Sequence, residues 1–220
     1  MMKLQSTREQ VYETALRMVA DGIAHGAQGN ISALDAETGL IAITPSAIPY
    51  LKMKVEDIVL VDRQGNVVDG KWRPTSEIAC HLVFYQRRAD VGAVVHSHAP
   101  YSTLFGLKDT PLPMILTEAA TCLGGSVPVA PYRRPGTPEL AQVVYESTGS
   151  GVSVIMARHG LLTVGANLAE AYDSTMAVET TARLVWMAKA MGMYPQPMEE
   201  DEVADVRRIY LEKYHPTRNQ

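Results

Sequence analysis

Residues 74–103 read PTSEIACHLVFYQRRADVGAVVHSHAPYST, a helix followed by a strand that delivers two histidines. Pro74 precedes the helix, Thr75 or Ser76 is its expected cap, and Ile78, Ala79, Leu82, Val83 and Tyr85 line a mostly apolar face. The run Val91-Gly92-Ala93-Val94-Val95 is short and apolar enough to be a buried strand, and it leads straight into His96-Ser97-His98. Side chains two apart on extended chain point to the same face, so the two imidazoles can converge on one ion.

Working outward, Ser6-Thr7-Arg8-Glu9 has the form of a capping box, and Val11, Ala15, Leu16, Met18 and Val19 follow at helical spacing up to Gly22 or Gly26. Gln28-Gly29-Asn30-Ile31-Ser32 is a tight turn into extended chain. Strands are expected at Leu40 to Thr44 and Ile58 to Val61, the second turning through Asp62 to Asn66 into Val67-Val68. Val152 to Met156 is another strand, followed by Arg158-His159-Gly160 and a hairpin partner at Leu161 to Val164. The longest helix is expected over Leu168 to Met191, and the acidic stretch Met198 to Asp205 begins a last one. The polar tail from Tyr214 to Gln220 is expected to be mobile. This pattern predicts an α/β domain with a central, mainly antiparallel sheet flanked by helices, without the β-α-β alternation of a Rossmann sheet.

At 220 residues and 24.0 kDa the chain fits one domain, 1–220, with a core over about 6–191 and a C-terminal helix and tail over 198–220. No apolar run reaches the ~20 residues of a membrane span, and Met1-Met2-Lys3-Leu4-Gln5 lacks the apolar stretch of a signal peptide. Two cysteines, Cys80 and Cys122, suit a reducing compartment, so a cytoplasmic protein is expected. A net charge of −4 and a pI near 5.9 argue against nucleic acid as a partner.

The histidines carry the strongest chemical signal. His96, His98 and His159 follow strand-like runs, and three imidazoles plus a carboxylate suit Zn²⁺ with an exchangeable position, while Mn²⁺, Co²⁺ and Fe²⁺ are compatible. Glu77 is the leading carboxylate, at the start of its helix where the dipole favours negative charge, although a glutamate there is also common for helix reasons alone. His81 lies four residues on and could pair with Glu77 on a metal, or simply touch it as a helix neighbour. Three turns could cradle a phosphate through hydroxyls and amides: Gly29-Asn30, Thr44-Pro45-Ser46-Ala47 and Pro74-Thr75-Ser76. Each alone is more often just a turn, and only their combination is informative.

These segments together resemble the class II aldolase/adducin-head family, in particular its L-fuculose-1-phosphate aldolase and L-ribulose-5-phosphate 4-epimerase group. The resemblance rests on GNIS at 29–32, ITPSAIPY at 43–50, the stretch at 74–103, VPVAPYRRPGT at 127–137 and RHGLLTVGANLAEAY at 158–172, in the family's order and spacing from about residue 6 to residue 191. It implies a class II aldolase-like fold and a divalent metal, usually zinc, held by His96, His98 and His159. It makes Glu77 the fourth ligand at rest and the catalytic base once substrate displaces it. It further implies that Gly29, Asn30, Ser46, Thr75 and Ser76 surround the phosphate of a sugar-phosphate substrate. Cleavage through an enediolate of dihydroxyacetone phosphate, and a homotetramer with active sites at subunit boundaries, are implied too.

Two departures bear on function. The family's turn glycine after TPS is Ala47 here. The segment Ile115-Leu116-Thr117-Glu118-Ala119-Ala120 lacks the catalytic tyrosine of the fuculose-phosphate enzymes, which makes Glu118 a substitute proton donor or an ordinary surface glutamate. Tyr214 is a candidate to close the site from the tail. The leading expectation is an aldolase acting on a ketose 1-phosphate. Behind it stand a pentulose 5-phosphate 4-epimerase and a 3-oxo acid phosphate decarboxylase, the latter drawing on Arg133 and Arg134. A non-catalytic scaffold of the adducin kind predicts lost ligands, and here the three histidines and Glu77 all remain.

Overall fold

Strict alternation builds the sheet. In a computed structural model that describes residues 2–214, eight strands form: β1 (Asn30–Leu34), β2 (Ile41–Ile43), β3 (Val59–Val61), β4 (Val67–Asp69), β5 (Ala93–Ser97), β6 (Val129–Ala130), β7 (Ser153–Met156) and β8 (Gly160–Gly165). They make one sheet in the order β4-β3-β2-β1-β5-β8-β7-β6. Every pairing is antiparallel except β6 with β7. The expected α/β class with a mainly antiparallel sheet is therefore observed. Met1 and residues 215–220, which include most of the tail expected to be mobile, lie outside the described residues.

Seven helices cover the two faces: α1 (Gln5–Ala20), α2 (Ile78–Arg87), α3 (Pro100–Gly106), α4 (Thr117–Leu123), α5 (Pro138–Thr148), α6 (Leu168–Ala190) and α7 (Glu200–Lys213), counted among the described residues. Ile41, Ile43, Val59, Val61, Val94, Val154 and Leu162 pack with Leu82, Val83 and Phe84 of α2 and Leu140 and Val144 of α5. The intervening Ala42, Leu60, Ala93 and Val95 face Val11, Ala15 and Met18 of α1 and the first turns of α6. Ile155 and Leu161 pack with Val178, Ala182 and Val185 of α6, Ala120 of α4 and Val203 of α7. Burying each such Val, Leu or Ile is worth roughly 1.5–3 kcal/mol, and a one-residue slip of β5 would swap the side chains it presents to the two helix layers and undo both sets of contacts. That lock on register also fixes the side to which His96 points: with Val94, towards α2.

Three expectations need correcting. The first helix begins at Gln5 with Leu4 in a left-handed conformation, so Ser6 lies inside it and Glu9 accepts from the Gln5 side-chain amide (2.9 Å) instead of completing a capping box. Arg8 is buried and donates to the Ile58 carbonyl and to Asp69. The N-cap of α2 is Glu77, not Thr75 or Ser76: the Thr75 carbonyl accepts from Ile78 (3.2 Å), and its hydroxyl accepts from the Glu77 amide (3.3 Å). The central strand runs Ala93–Ser97, so His96 stands within it and only His98 lies just beyond.

Helices α3, α4 and α5 had no counterpart in the expectations, although Thr137-Pro138 carried a readable signal: an N-cap whose hydroxyl accepts from Leu140, with proline at the first helical position. No helix is long and apolar enough to cross a membrane among the described residues.

Candidate metal centre and cleft

Strand register gathers the histidines. On β5, His96 pairs with Asn30 of β1 on one side and Leu162 of β8 on the other. His159 sits in the tight turn between β7 and β8, after Arg158 in a left-handed conformation (φ 58°). Gly160 makes the close approach possible: a methyl there would stand 2.4 Å from the Ser97 carbonyl oxygen and 3.1 Å from His96 Cε1. The ring centroids are 5.0 Å apart for His96 and His98, 4.8 Å for His96 and His159 and 5.3 Å for His98 and His159. One nitrogen from each ring falls within 4.8 Å of the others. Beyond His98 the chain is anchored by Glu179 of α6, whose carboxylate accepts from the Tyr101 and Ser102 amides (2.9 and 2.8 Å) at the start of α3.

Glu77, at the N-cap of α2, closes the group. Its Oε2 lies 3.1 Å from His96 Nε2 and its Oε1 3.3 Å from His159 Nε2. His96 Nδ1 is 2.9 Å from the Leu161 carbonyl oxygen, which can only accept, so Nδ1 carries the proton and Nε2 of the neutral ring presents a lone pair to the carboxylate. Two acceptors then face each other in a buried place. Glu77 Oε1, His96 Nε2 and His159 Nδ1 are buried without a hydrogen-bond partner. Burying such atoms unsatisfied costs about 1–3 kcal/mol each, more when charged. A divalent cation resolves the conflict, and the spacing fits one: ligand atoms about 2.0–2.1 Å from a tetrahedral zinc stand roughly 3.3 Å apart.

Protonation states agree. Burial, with the charges of His96 and His159 added, pushes His98 down to about 4; burial and His96 push His159 down to about 4. Both rings are thus neutral and able to ligate near pH 7. Burial alone would raise the Glu77 carboxyl, but the His96 and His159 rings beside it and the Asn30 amide outweigh it and hold it well below the usual range. Nitrogen and carboxylate donors of this kind suit zinc and equally manganese, cobalt or iron.

The three turns meet beside this cluster. Pro45 and Pro74 bridge, the Ser46 amide donates to the Arg73 carbonyl (2.9 Å) and the Thr75 amide to the Thr44 carbonyl (3.0 Å). The Gly29 segment is tied in by Tyr50, whose hydroxyl donates to the Gly29 carbonyl (2.7 Å). Gly29 itself (φ 76°) allows no side chain, since a methyl would come within 2.5 Å of the His96 carbonyl oxygen. The result is an open cleft of about 310 Å³ whose lining includes Gly29, Asn30, Ser46, Thr75, Ser76, Glu77, His98 and His159, with Pro135 reaching in from the loop before α5. Ala47 lines it too and keeps the left-handed conformation (φ 61°) that a glycine would adopt more easily.

Two candidates are not brought there. Glu118 is exposed in the first turn of α4, and Tyr214 is exposed at the end of α7; neither lines the cleft. His81 is no fourth ligand. It is fully buried and takes both its hydrogen bonds away from the cluster, from the Ser32 hydroxyl (2.7 Å) and to Asn30 Oδ1 (2.6 Å).

Comparison with known proteins places this architecture. The family model described as "Class II Aldolase and Adducin N-terminal domain" matches residues 9–186. A 5-deoxy-D-ribulose 1-phosphate aldolase of Bacillus thuringiensis serovar kurstaki is 33% identical, over 95% of this chain and 97% of that protein. The L-ribulose-5-phosphate 4-epimerase UlaF of Salmonella paratyphi B is 30% identical over 90% and 91%. A solved structure of an L-fuculose 1-phosphate aldolase superposes with a TM-score of 0.91 at 33% identity, covering 96% of this chain and 98% of that one. The chain belongs to the class II aldolase and adducin N-terminal domain family, on its aldolase side.

Proposed function

We propose that the protein is a divalent-metal-dependent aldolase that splits a ketose 1-phosphate into dihydroxyacetone phosphate and a small aldehyde. The observation that carries this reading is the buried facing of Glu77 against the His96 and His159 nitrogens, at 3.1 and 3.3 Å, on the wall of a cleft whose rim supplies hydroxyls and turn amides. His96, His98, His159 and Glu77 would hold the ion, zinc being the favoured metal. When bound, it supplies Lewis-acid stabilisation of the charge that develops on the substrate carbonyl oxygen as the carbon–carbon bond breaks.

The chain's own groups do the rest. Ser46, Thr75, Ser76, Gly29 and Asn30 surround the phosphate and so set the distance from it to the reacting carbons. Glu77 moves a proton: in cleavage the hydroxyl beside the breaking bond gives up its proton as the aldehyde forms, and one proton is returned through Glu77 to the carbon of the dihydroxyacetone phosphate fragment that lost its bond; in synthesis Glu77 removes one from the same carbon. A homotetramer in the cytoplasm is part of the proposal. Exposed Leu184, Trp186 and Met187 on α6 suit subunit contacts, and in such an assembly Glu118 and Tyr214 could serve a neighbouring subunit's cleft.

The test is an end-point assay of the zinc-loaded protein against fuculose, rhamnulose, ribulose, 5-deoxyribulose and 5-methylthioribulose 1-phosphates, with a chelated control. Chelator-sensitive release of dihydroxyacetone phosphate from one of them is expected. No release from any would contradict the aldolase reading. The similarity to UlaF favours a second reading, pentulose 5-phosphate 4-epimerase, which would instead interconvert its substrates without releasing that fragment.

A further inference from the structure

Behind Glu77 lies a second polar group, built from alternate residues of β1 and every fourth residue of α2. Asn30 and Ser32 face the same way on β1; Glu77, His81 and Tyr85 lie on one face of α2 and its cap. All five are buried. Asn30 Nδ2 donates to Glu77 Oε2 (2.9 Å), His81 Nε2 is 2.6 Å from Asn30 Oδ1, Ser32 Oγ is 2.7 Å from His81 Nδ1, and Tyr85 Oη is 2.7 Å from Ser32 Oγ.

The direction of every bond follows from one end. A carboxylate only accepts, so Asn30 must present its NH₂ to Glu77 and its carbonyl to His81. That carbonyl needs a donor, so His81 carries its proton on Nε2. Nδ1 is then an acceptor, which the Ser32 hydroxyl fills, and Tyr85 in turn donates to Ser32. Read the other way, Tyr85 and Ser32 select the tautomer of His81, and His81 decides which way the Asn30 amide points. Without the His81 N–H, only the Glu77 carboxylate itself would oppose the flip that brings Asn30 Oδ1 to 2.9 Å from one of its oxygens, and the Asn30 carbonyl would lose its donor. Among these five residues, Glu77 Oε1, facing the histidine cluster, is the only buried side-chain polar atom without a partner.

We propose that His81, its tautomer set by Ser32 and Tyr85, is a positioning residue that locks the Asn30 amide and through it aims the Glu77 carboxylate at the metal. This rests on the reading of Glu77 as a metal ligand and base. Hydrogen-bonded partners of metal ligands typically control affinity by 10–100-fold.

The test measures zinc affinity of the full chain by competition with a chromophoric chelator, with thermal unfolding as a control for folding. His81→Leu, one hydrogen bond further out than the ligand's direct partner Asn30, is expected to weaken zinc binding by up to about 10-fold, the low end of the range for a direct partner. His81→Gln, whose amide NH₂ can replace Nε2–H, is expected to restore binding close to wild type, which a purely space-filling role would not require. Combining His81→Leu with Glu77→Gln is expected to weaken binding no further than Glu77→Gln alone, because His81 acts through Glu77. Wild-type affinity in His81→Leu beside a weakened Glu77→Gln would overturn the positioning chain and leave the reading of Glu77 intact. Undiminished affinity in Glu77→Gln would remove Glu77 as a ligand and the proposal with it. His81→Gln binding as weakly as His81→Leu would also overturn it. Should His81→Leu fail to fold, Ser32→Ala carries the test: weakened binding supports the tautomer lock, and wild-type affinity overturns it.

Discussion

The two sides of Glu77 are built on opposite principles. Towards α2 and β1, each polar atom of Asn30, Ser32, His81 and Tyr85 that the chain uses has its partner, and the directions of the bonds are fixed. Towards β5 and the β7–β8 turn, Glu77 Oε2 faces His96 Nε2 and Oε1 faces His159 Nε2, and Oε1, His96 Nε2 and His159 Nδ1 stay without a hydrogen-bond partner. Both sides contain a fully or nearly buried histidine within reach of the same region, so burial alone does not separate a structural imidazole from a ligand. What separates them is where the lone pairs point. The satisfied side gives rigidity, and the unsatisfied side suits a cation.

Breaking the unsatisfied side has the largest expected effect. His159→Ala should lose more zinc affinity than the roughly 10–100-fold typical of an outer partner, because it removes a ligand itself; metal content after dialysis against a weak chelator checks this. Glu77→Gln should keep the fold while lowering kcat by about 10²–10⁴, the range for a positioned acid–base group, and steady-state kinetics at saturating zinc reads it directly.

Smaller changes sharpen the contrast. Gly160→Ala would drive a methyl to 2.4 Å from the Ser97 carbonyl oxygen, so a loss of about 1–3 kcal/mol in urea unfolding is expected even without metal. Lowering pH acts on the same side. His98 and His159 titrate near 4 in the folded chain but near the ordinary 6.5 when unfolded, so between those values the unfolded state binds more protons. The contribution of these two histidines should therefore lower the stability of the metal-free protein as pH drops from about 6.5 towards 4; unfolding curves at pH 7 and pH 4 compare the two ends. Ala47→Gly is the mildest. It should relieve the left-handed strain at φ 61° and gain at most about 1 kcal/mol, part of the relief being offset by the freer unfolded chain.

Much of this was readable in the sequence because it depends on short-range periodicity. His96 and His98 two apart after a buried run, and a histidine before Gly160 at the end of another, mark a strand edge carrying imidazoles. The gathering of the three turns at one cleft was not readable. It depends on the Pro45–Pro74 bridge and on Tyr50 reaching the Gly29 carbonyl, contacts between distant segments that no local pattern encodes. The place of His81 was ambiguous for a different reason: four-residue spacing from Glu77 is the same whether a histidine ligates or buttresses, and only Ser32 on another element decides it. The capping box at Ser6 failed because burial of Arg8 against Asp69 and the Ile58 carbonyl sets where the first helix starts.

The most direct test is a titration. Zinc would be added to chelator-stripped protein while release of dihydroxyacetone phosphate from its best ketose 1-phosphate is followed. If the unsatisfied face of Glu77 is the catalytic metal centre, activity should rise from near zero and saturate at one equivalent of zinc per chain, and His159→Ala should stay flat over the same range. Full activity in the stripped protein, or a His159→Ala trace that follows wild type, would contradict it.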